Sequence, residues 1–160
     1  MRAFVHRVSH AGAAIGGHYT RNLLIGDPAQ TTVIDHLDHL VLTTTHLDRC
    51  VDFYTRVLGM KLETFGAGRK ALRFGNQKIN LHEAGKEFEP KAHRPVPGAL
   101  DLCFIADRPL DDVIARLDAL GASIIEGPVQ RTGAAGPIRS VYLRDPDQNL
   151  IEISEYLPAR

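Results

Sequence analysis

The sequence contains the same pattern of apolar residues twice. Residues 39–62 (HLVLTTTHLDRCVDFYTRVLGMKL) and 101–124 (DLCFIADRPLDDVIARLDALGASI) each hold a short apolar run, a Leu-rich helical pattern and a second apolar run. The helical pattern ends in Leu-Gly in both copies, and a constant offset of 62 residues joins Gly59 to Gly121. A repeat of this kind indicates two copies of one supersecondary unit that bury their apolar faces together.

Each copy predicts a strand, a helix and three further strands. In the first copy, the pattern predicts strands over 34–43, 61–65, 70–74 and 77–83, with a helix that ends at Gly59. In the second copy, it predicts strands over 99–106, near 122–126, over 138–143 and over 149–156, with a helix from an N-cap at Asp107 to Gly121. We therefore predict an α+β fold in which two tandem βαβββ modules, 34–83 and 99–156, form a curved, mostly antiparallel mixed sheet.

Composition narrows the class of partner. Lys plus Arg and Asp plus Glu number 19 each, so no overall charge favours nucleic acid or an anionic membrane. No apolar run has the length of a membrane span, so the sequence predicts no membrane partner either. Cys50 and Cys103 occupy apolar positions without a C-x-x-C pair, and this predicts two buried thiols in a reducing, cytoplasmic compartment.

The first residues differ from the rest of the chain. Residues 1–33 are predicted to be a poorly ordered N-terminal extension of a single domain over 34–157. The extension has basic residues and no acid before Asp27, so a mitochondrial location is the weaker alternative to a cytoplasmic one.

Polar residues recur on the predicted inner faces of the sheet. The repeat aligns His39 with Asp101 on the first strand of each module, and Asn80 and His82 share a face of the first module's last strand. Glu152 stands in an otherwise apolar strand, where an unpaired buried carboxylate costs roughly several kcal/mol. The residues leave open whether His82 or Asn80 corresponds to Glu152.

Three segments carry a resemblance to a known family. DHLVLT (38–43), FYTRVLGM (53–60) and YLRDPDQNLIEISEY (142–156) resemble the vicinal oxygen chelate superfamily, which includes glyoxalase I, extradiol dioxygenases and bleomycin-resistance proteins. Segments 74–104 and 126–138 are similar to glyoxalase domain-containing protein 5 and its bacterial relatives. The resemblance covers about residues 34–157 and implies a cup that holds a divalent metal.

The resemblance implies which residues hold that metal. It makes His39, His82 and Glu152 the ligands of Zn, Mn, Fe, Ni or Co, and Glu152 also a candidate catalytic base. Many members have His where this chain has Asp101, so it stays open whether Asp101 or Asn80 joins or replaces His82. Three protein ligands leave open positions for substrate oxygens.

The resemblance also implies a class of function. We expect a metal-dependent lyase, isomerase or dioxygenase that binds a small oxygenated substrate and forms a homodimer. The alternative is a metal-free small-molecule-binding protein of the bleomycin-resistance type, because one scaffold of this kind carries many activities.

Overall fold

The computed structural model describes residues 32–158. The predicted N-terminal extension lies outside the described residues except for Thr32 and Val33. Within the described range, every strand and helix belongs to the second of two units, which begins at His36. The cytoplasmic location stays a prediction.

Both modules have the predicted order of elements. The first module contains β1 (His39–Thr44), α1 (Leu47–Asp52), a π-helical turn (Phe53–Val57), β2 (Lys61–Phe65), β3 (Arg69–Phe74) and β4 (Gln77–Glu83). The second module contains β5 (Asp101–Ile105), α2 (Leu110–Ala119), β6 (Glu126–Gly133), β7 (Gly136–Arg144) and β8 (Leu150–Tyr156). The predicted α+β class and the βαβββ repeat are confirmed.

The strands form two four-stranded sheets. Sheet 1 has the order β1-β4-β3-β2, and sheet 2 has the equivalent order β5-β8-β7-β6. In each sheet the first strand pairs parallel with the last strand of its module, and the remaining pairs are antiparallel. The duplication therefore extends from the sequence to the topology.

Two predicted boundaries in the second module are wrong. Helix α2 begins at Leu110 rather than after an N-cap at Asp107, because the Leu110 N–H donates to Oε2 of Glu155 at 2.8 Å. A side chain from β8 thus satisfies an open N–H group of the first turn. The strand predicted near 122–126 lies at Glu126–Gly133, where the chain pairs with β7. In the first module, Gly59 ends the helix as predicted and has φ of 73°.

The two modules share one apolar core. One side of each sheet packs against the helices, with residues such as Leu42, Leu72, Ile79, Leu117 and Ile151 buried in a single cluster. The Phe74 and Phe104 rings meet edge to face across the modules, with centroids 5.3 Å apart. The modules therefore pack through their apolar sides, and the opposite face of each sheet is turned away from this core.

The two cysteines differ in environment. Cys50 is fully buried as predicted, but the prediction of a buried thiol is wrong for Cys103, which is exposed. Cys103 lies on the side of β5 opposite Leu102 and Phe104, which pack against the core. Within residues 32–158, no helix has the length and apolarity needed to cross a membrane.

Candidate functional site

Each sheet has one face directed away from the core, which we call its polar face. On the polar face of sheet 1, β1 and β4 place His39, Val41, Thr43, Lys78, Asn80 and His82. On the polar face of sheet 2, β5 and β8 place Asp101, Cys103, Ile105, Leu150, Glu152 and Ser154. Val41 is 43% exposed and Ile105 49% exposed, so each polar face is open to solvent at one apolar position of its first strand.

The strand register shows which polar residues correspond in the two modules. Asn80 lies opposite Val41, two residues beyond His39 on β1. Glu152 lies opposite Cys103, two residues beyond Asp101 on β5. Asn80 is therefore the structural counterpart of Glu152. His82 lies opposite Thr43, and its counterpart in the second module is Ser154.

The same register sets how far each side chain lies from His39. A strand advances about 3.3 Å per residue, so Asn80 lies about 7 Å from His39 along the strand and His82 about 13 Å. Ligands of one metal ion bring their donor atoms to about 2 Å from it. The register therefore favours Asn80 over His82 as the residue that shares an ion with His39.

An acidic neighbour orients the imidazole of His39. Nδ1 of His39 lies 2.6 Å from Oδ1 of Asp38, and this hydrogen bond lowers the pKa of the Asp38 carboxyl. When the Nδ1–H group of His39 donates a hydrogen bond to Asp38, the lone pair of Nε2 is free to bind a metal. Asp38 is not among the site residues predicted from the sequence, although its position directly before His39 was a signal that could have identified it.

Two buried polar atoms on the polar face of sheet 1 have no hydrogen-bond partner among residues 32–158. They are Oδ1 of Asn80 and Nδ1 of His82. A buried polar atom left unpaired costs about 1–3 kcal/mol, so a bound ion or ligand that pairs with these atoms would remove an existing penalty. The amide oxygen of Asn80 fits the role of a metal ligand, because carbonyl oxygens bind divalent cations.

Glu152 lies within a network of hydroxyl and thiol groups. Burial disfavours its ionised form, but hydrogen bonds from Ser140, Tyr142, Cys103 and Ser154 outweigh that effect and lower the pKa of Glu152. The Ser154 hydroxyl in turn lies 2.8 Å from the Ser140 hydroxyl. The network keeps Glu152 a carboxylate, which suits a metal ligand better than a general base at neutral pH.

A single chain divides these donor groups between two places. Among residues 32–158, no three His, Cys, Asp or Glu side chains lie close enough together to hold a metal ion. His39 and Asn80 lie on sheet 1, whereas Asp101 and Glu152 lie on sheet 2. Each polar face therefore carries two of the four candidate donor groups.

A cavity of about 570 Å³ lies elsewhere, between the modules. Apolar side chains such as Val57, Met60, Phe74 and Phe104 line it, and the candidate ligands do not. The cavity is thus separate from the polar faces. We place the candidate metal site on those faces, because the donor groups and the unpaired polar atoms lie there.

The comparison with protein families agrees with this architecture. Residues 36–153 match the model of the Glyoxalase/Bleomycin resistance protein/Dioxygenase superfamily. The chain belongs to this superfamily. The predicted resemblance is confirmed at this level, whereas the finer resemblance to glyoxalase domain-containing protein 5 stays a prediction.

Relatives of high identity cover most of the superfamily domain. Virulence protein STM3117 of Salmonella typhimurium is 57% identical over 125 residues, which are 78% of this chain and 87% of that protein. Glyoxalase domain-containing protein RDO1 of Mycosarcoma maydis is 58% identical over 124 residues, which are 78% of this chain and 70% of that protein. The crystal structure of STM3117 matches with a TM-score of 0.77 and 56% identity, over 79% of this chain and all of that chain.

Two more distant structures share the fold alone. A lactoylglutathione lyase from Agrobacterium tumefaciens is 23% identical, with a TM-score of 0.59 over 76% of this chain and 94% of that chain. TnmS3, an antibiotic-binding protein from Streptomyces, is 21% identical, with a TM-score of 0.62 over 79% of this chain and all of that chain. One is an enzyme and the other a binding protein, so the fold does not decide between these two classes of function.

Proposed function

We propose that this chain is a metal-dependent enzyme of the superfamily, a lyase, isomerase or dioxygenase that binds a small oxygenated substrate at a site shared by two copies. The observation that carries the proposal is the division of equivalent donors between the polar faces. His39 and Asn80 of one copy would meet Asp101 and Glu152 of the other. Of the predicted ligands, His39 and Glu152 are retained, and Asn80 takes the position first given to His82.

The donor chemistry supports a divalent transition metal. One imidazole nitrogen, one amide oxygen and two carboxylates suit Zn, Mn, Fe, Ni or Co. When bound, such an ion supplies Lewis-acid polarisation of substrate oxygens. The chain contributes the orientation of His39 through Asp38 and a Glu152 that is kept ionised.

The charges on the two polar faces support their pairing in a homodimer. The face of sheet 1 carries one acidic residue, Glu63, and four basic residues, Lys61, Arg69, Arg73 and Lys78. The face of sheet 2 carries two basic residues, Arg131 and Arg144, and three acidic residues, Asp101, Glu126 and Glu152. Contact between a basic and an acidic face is electrostatically complementary, and it would also cover the exposed Val41 and Ile105.

Glu152 keeps both of its predicted roles in the proposal. As a carboxylate of lowered pKa it binds a cation well. The same low pKa makes it a weak proton acceptor at neutral pH, so its action as a catalytic base would require release from the metal.

The test is the metal content of the full chain purified without a chelator. Elemental analysis should find about one metal ion per chain, and adding Mn, Fe(II), Co, Ni or Zn to chelated protein should raise its melting temperature. Light scattering should give the mass of a dimer. Less than about 0.1 metal per chain, with no thermal shift, would contradict the proposal and support the metal-free binding alternative.

A further inference from the structure

Arg69 lies over two aromatic rings, and no acidic side chain among residues 32–158 of its own chain pairs with it. Its guanidinium carbon lies 5.1 Å from the ring centroid of Phe65 and 5.7 Å from that of Phe88. Within the described part of the chain, the Arg69 side chain makes no hydrogen bond or ion pair. A cation held over aromatic rings in this way keeps its N–H donors available to an anionic acceptor.

His82 lies beside this arginine and is also unpaired. It is only 7% exposed, and its Nδ1 has no hydrogen-bond partner. Its ring meets the Phe88 ring at a centroid distance of 5.6 Å, so Phe88 contacts both His82 and Arg69. Strands β3 and β4 pair antiparallel with Ala71 opposite Asn80. Arg69 comes two residues before Ala71 and His82 two residues after Asn80, so both lie in the same direction along the sheet from that pair.

On the polar face of sheet 1, basic side chains outnumber acidic ones around Arg69. Nζ of Lys78 lies 4.2 Å from the same Phe65 ring centroid. Glu63, the acid that β2 places on this polar face, is occupied by Arg73, whose Nε donates to it at 2.8 Å. A small anion is therefore the ligand that this part of the face fits by charge, and the N–H donors of Arg69 suit a bidentate acceptor such as a carboxylate.

We propose that Arg69 and His82 form a subsite for the carboxylate of the substrate. Arg69 donates two N–H groups to the carboxylate oxygens, and the Nδ1–H of His82 donates a third. The subsite lies about 7 Å along the strand from Asn80, which fits a short organic acid with its oxygenated end at the metal ligands. This inference rests on the proposed function and names its substrate class, a small oxygenated carboxylic acid.

The probe for the subsite is benzoate, titrated into the full-length protein as purified and followed by NMR chemical shifts. Benzoate should bind the unaltered chain, and Arg69→Gln should weaken that binding at least about tenfold because a charge-assisted bidentate pair is lost. The matched control is Arg49→Gln, which removes an exposed arginine of α1 and should leave benzoate binding unchanged. Benzamide, with the same shape and no charge, should not compete.

The outcomes separate this inference from the proposed function. Equal benzoate affinity in Arg69→Gln and the unaltered chain, or no benzoate binding by either, would overturn the subsite even when metal is present. Stronger binding of inorganic phosphate than of benzoate would also overturn it, since the preferred ligand would then be a phosphate and not a carboxylate. Benzoate binding that depends on Arg69 in a protein without metal would support the subsite and contradict the metal-dependent function.

Discussion

Asn80 and Glu152 occupy the same position in the two modules. Each lies on the last strand of its module, on the polar face, opposite the third residue of the first strand. The two copies have kept this geometry and changed the chemistry from an amide to a carboxylate. In the proposed site, this relationship gives one oxygen ligand to each face and leaves His82 for a different role.

The first prediction follows from this register. Asn80→Ala should reduce metal affinity about tenfold or more, because it removes an oxygen ligand next to His39. His82→Ala should leave the metal content of the purified protein unchanged. Elemental analysis after dialysis checks both, with Asn76→Ala in the exposed β3–β4 turn as the control. Loss of metal in His82→Ala with retention in Asn80→Ala would show that the register assignment is wrong.

The second prediction concerns the carboxylate that orients His39. Asp38→Asn should lower metal affinity about 10- to 100-fold, because the imidazole exchanges a charged acceptor for a weaker, neutral amide. Competition with a fluorescent chelator measures the change. Asp52→Asn, which breaks the exposed pair of Asp52 with Arg56, is the matched control. Equal affinities of Asp38→Asn and Asp52→Asn would rule out a role for Asp38 at the metal.

The third prediction concerns Asp147, which joins the two modules. Its Oδ1 accepts a hydrogen bond from the Thr45 N–H at 2.9 Å, and the carboxylate also accepts from the hydroxyls of Thr44 and Thr45. Asp147→Asn should lower the free energy of unfolding by about 1–3 kcal/mol at pH 7, because these donors lose a charged acceptor. Urea unfolding measures the loss, with Asp107→Asn at the surface as the control.

The pH dependence of this effect has a definite sign. Burial disfavours the ionised form of Asp147, but the hydrogen bonds from Thr44 and Thr45 outweigh it and lower the pKa below the ordinary value of 3.8. The stabilisation is therefore complete above that value and is lost as the pH falls through the lowered pKa of the folded protein. The difference between the unaltered chain and Asp147→Asn should shrink on acidification below pH ~4. A difference that stays constant or grows would contradict this assignment.

Much of the fold could be predicted from the sequence because burial alternates along its strands. Four apolar residues of β4 and β8 point into the core as expected: Ile79, Leu81, Ile151 and Ile153. The same alternation places Asn80 and Glu152 on the faces of their sheets that point away from the core. The end of the helix at Gly59 could also be predicted from the residues next to it. Such features depend on residues close together in the chain.

The rest depends on contacts between distant residues. The choice between Asn80 and His82 required the pairing of β1 with β4, which lie about 40 residues apart, and periodicity carries no register between such strands. The start of α2 required Glu155, which comes from β8. A site divided between two faces is not visible in a pattern along one chain.

The central claim, a metal site shared by two copies, is tested most directly by mixing two defective chains. His39→Ala and Glu152→Gln would be co-expressed with different tags, and the heterodimer isolated through both. The claim predicts no metal in either variant homodimer and about one metal ion per heterodimer, because one of its two sites has both His39 and Glu152 intact. A heterodimer as empty as the two homodimers, beside a metal-loaded unaltered protein, would contradict it.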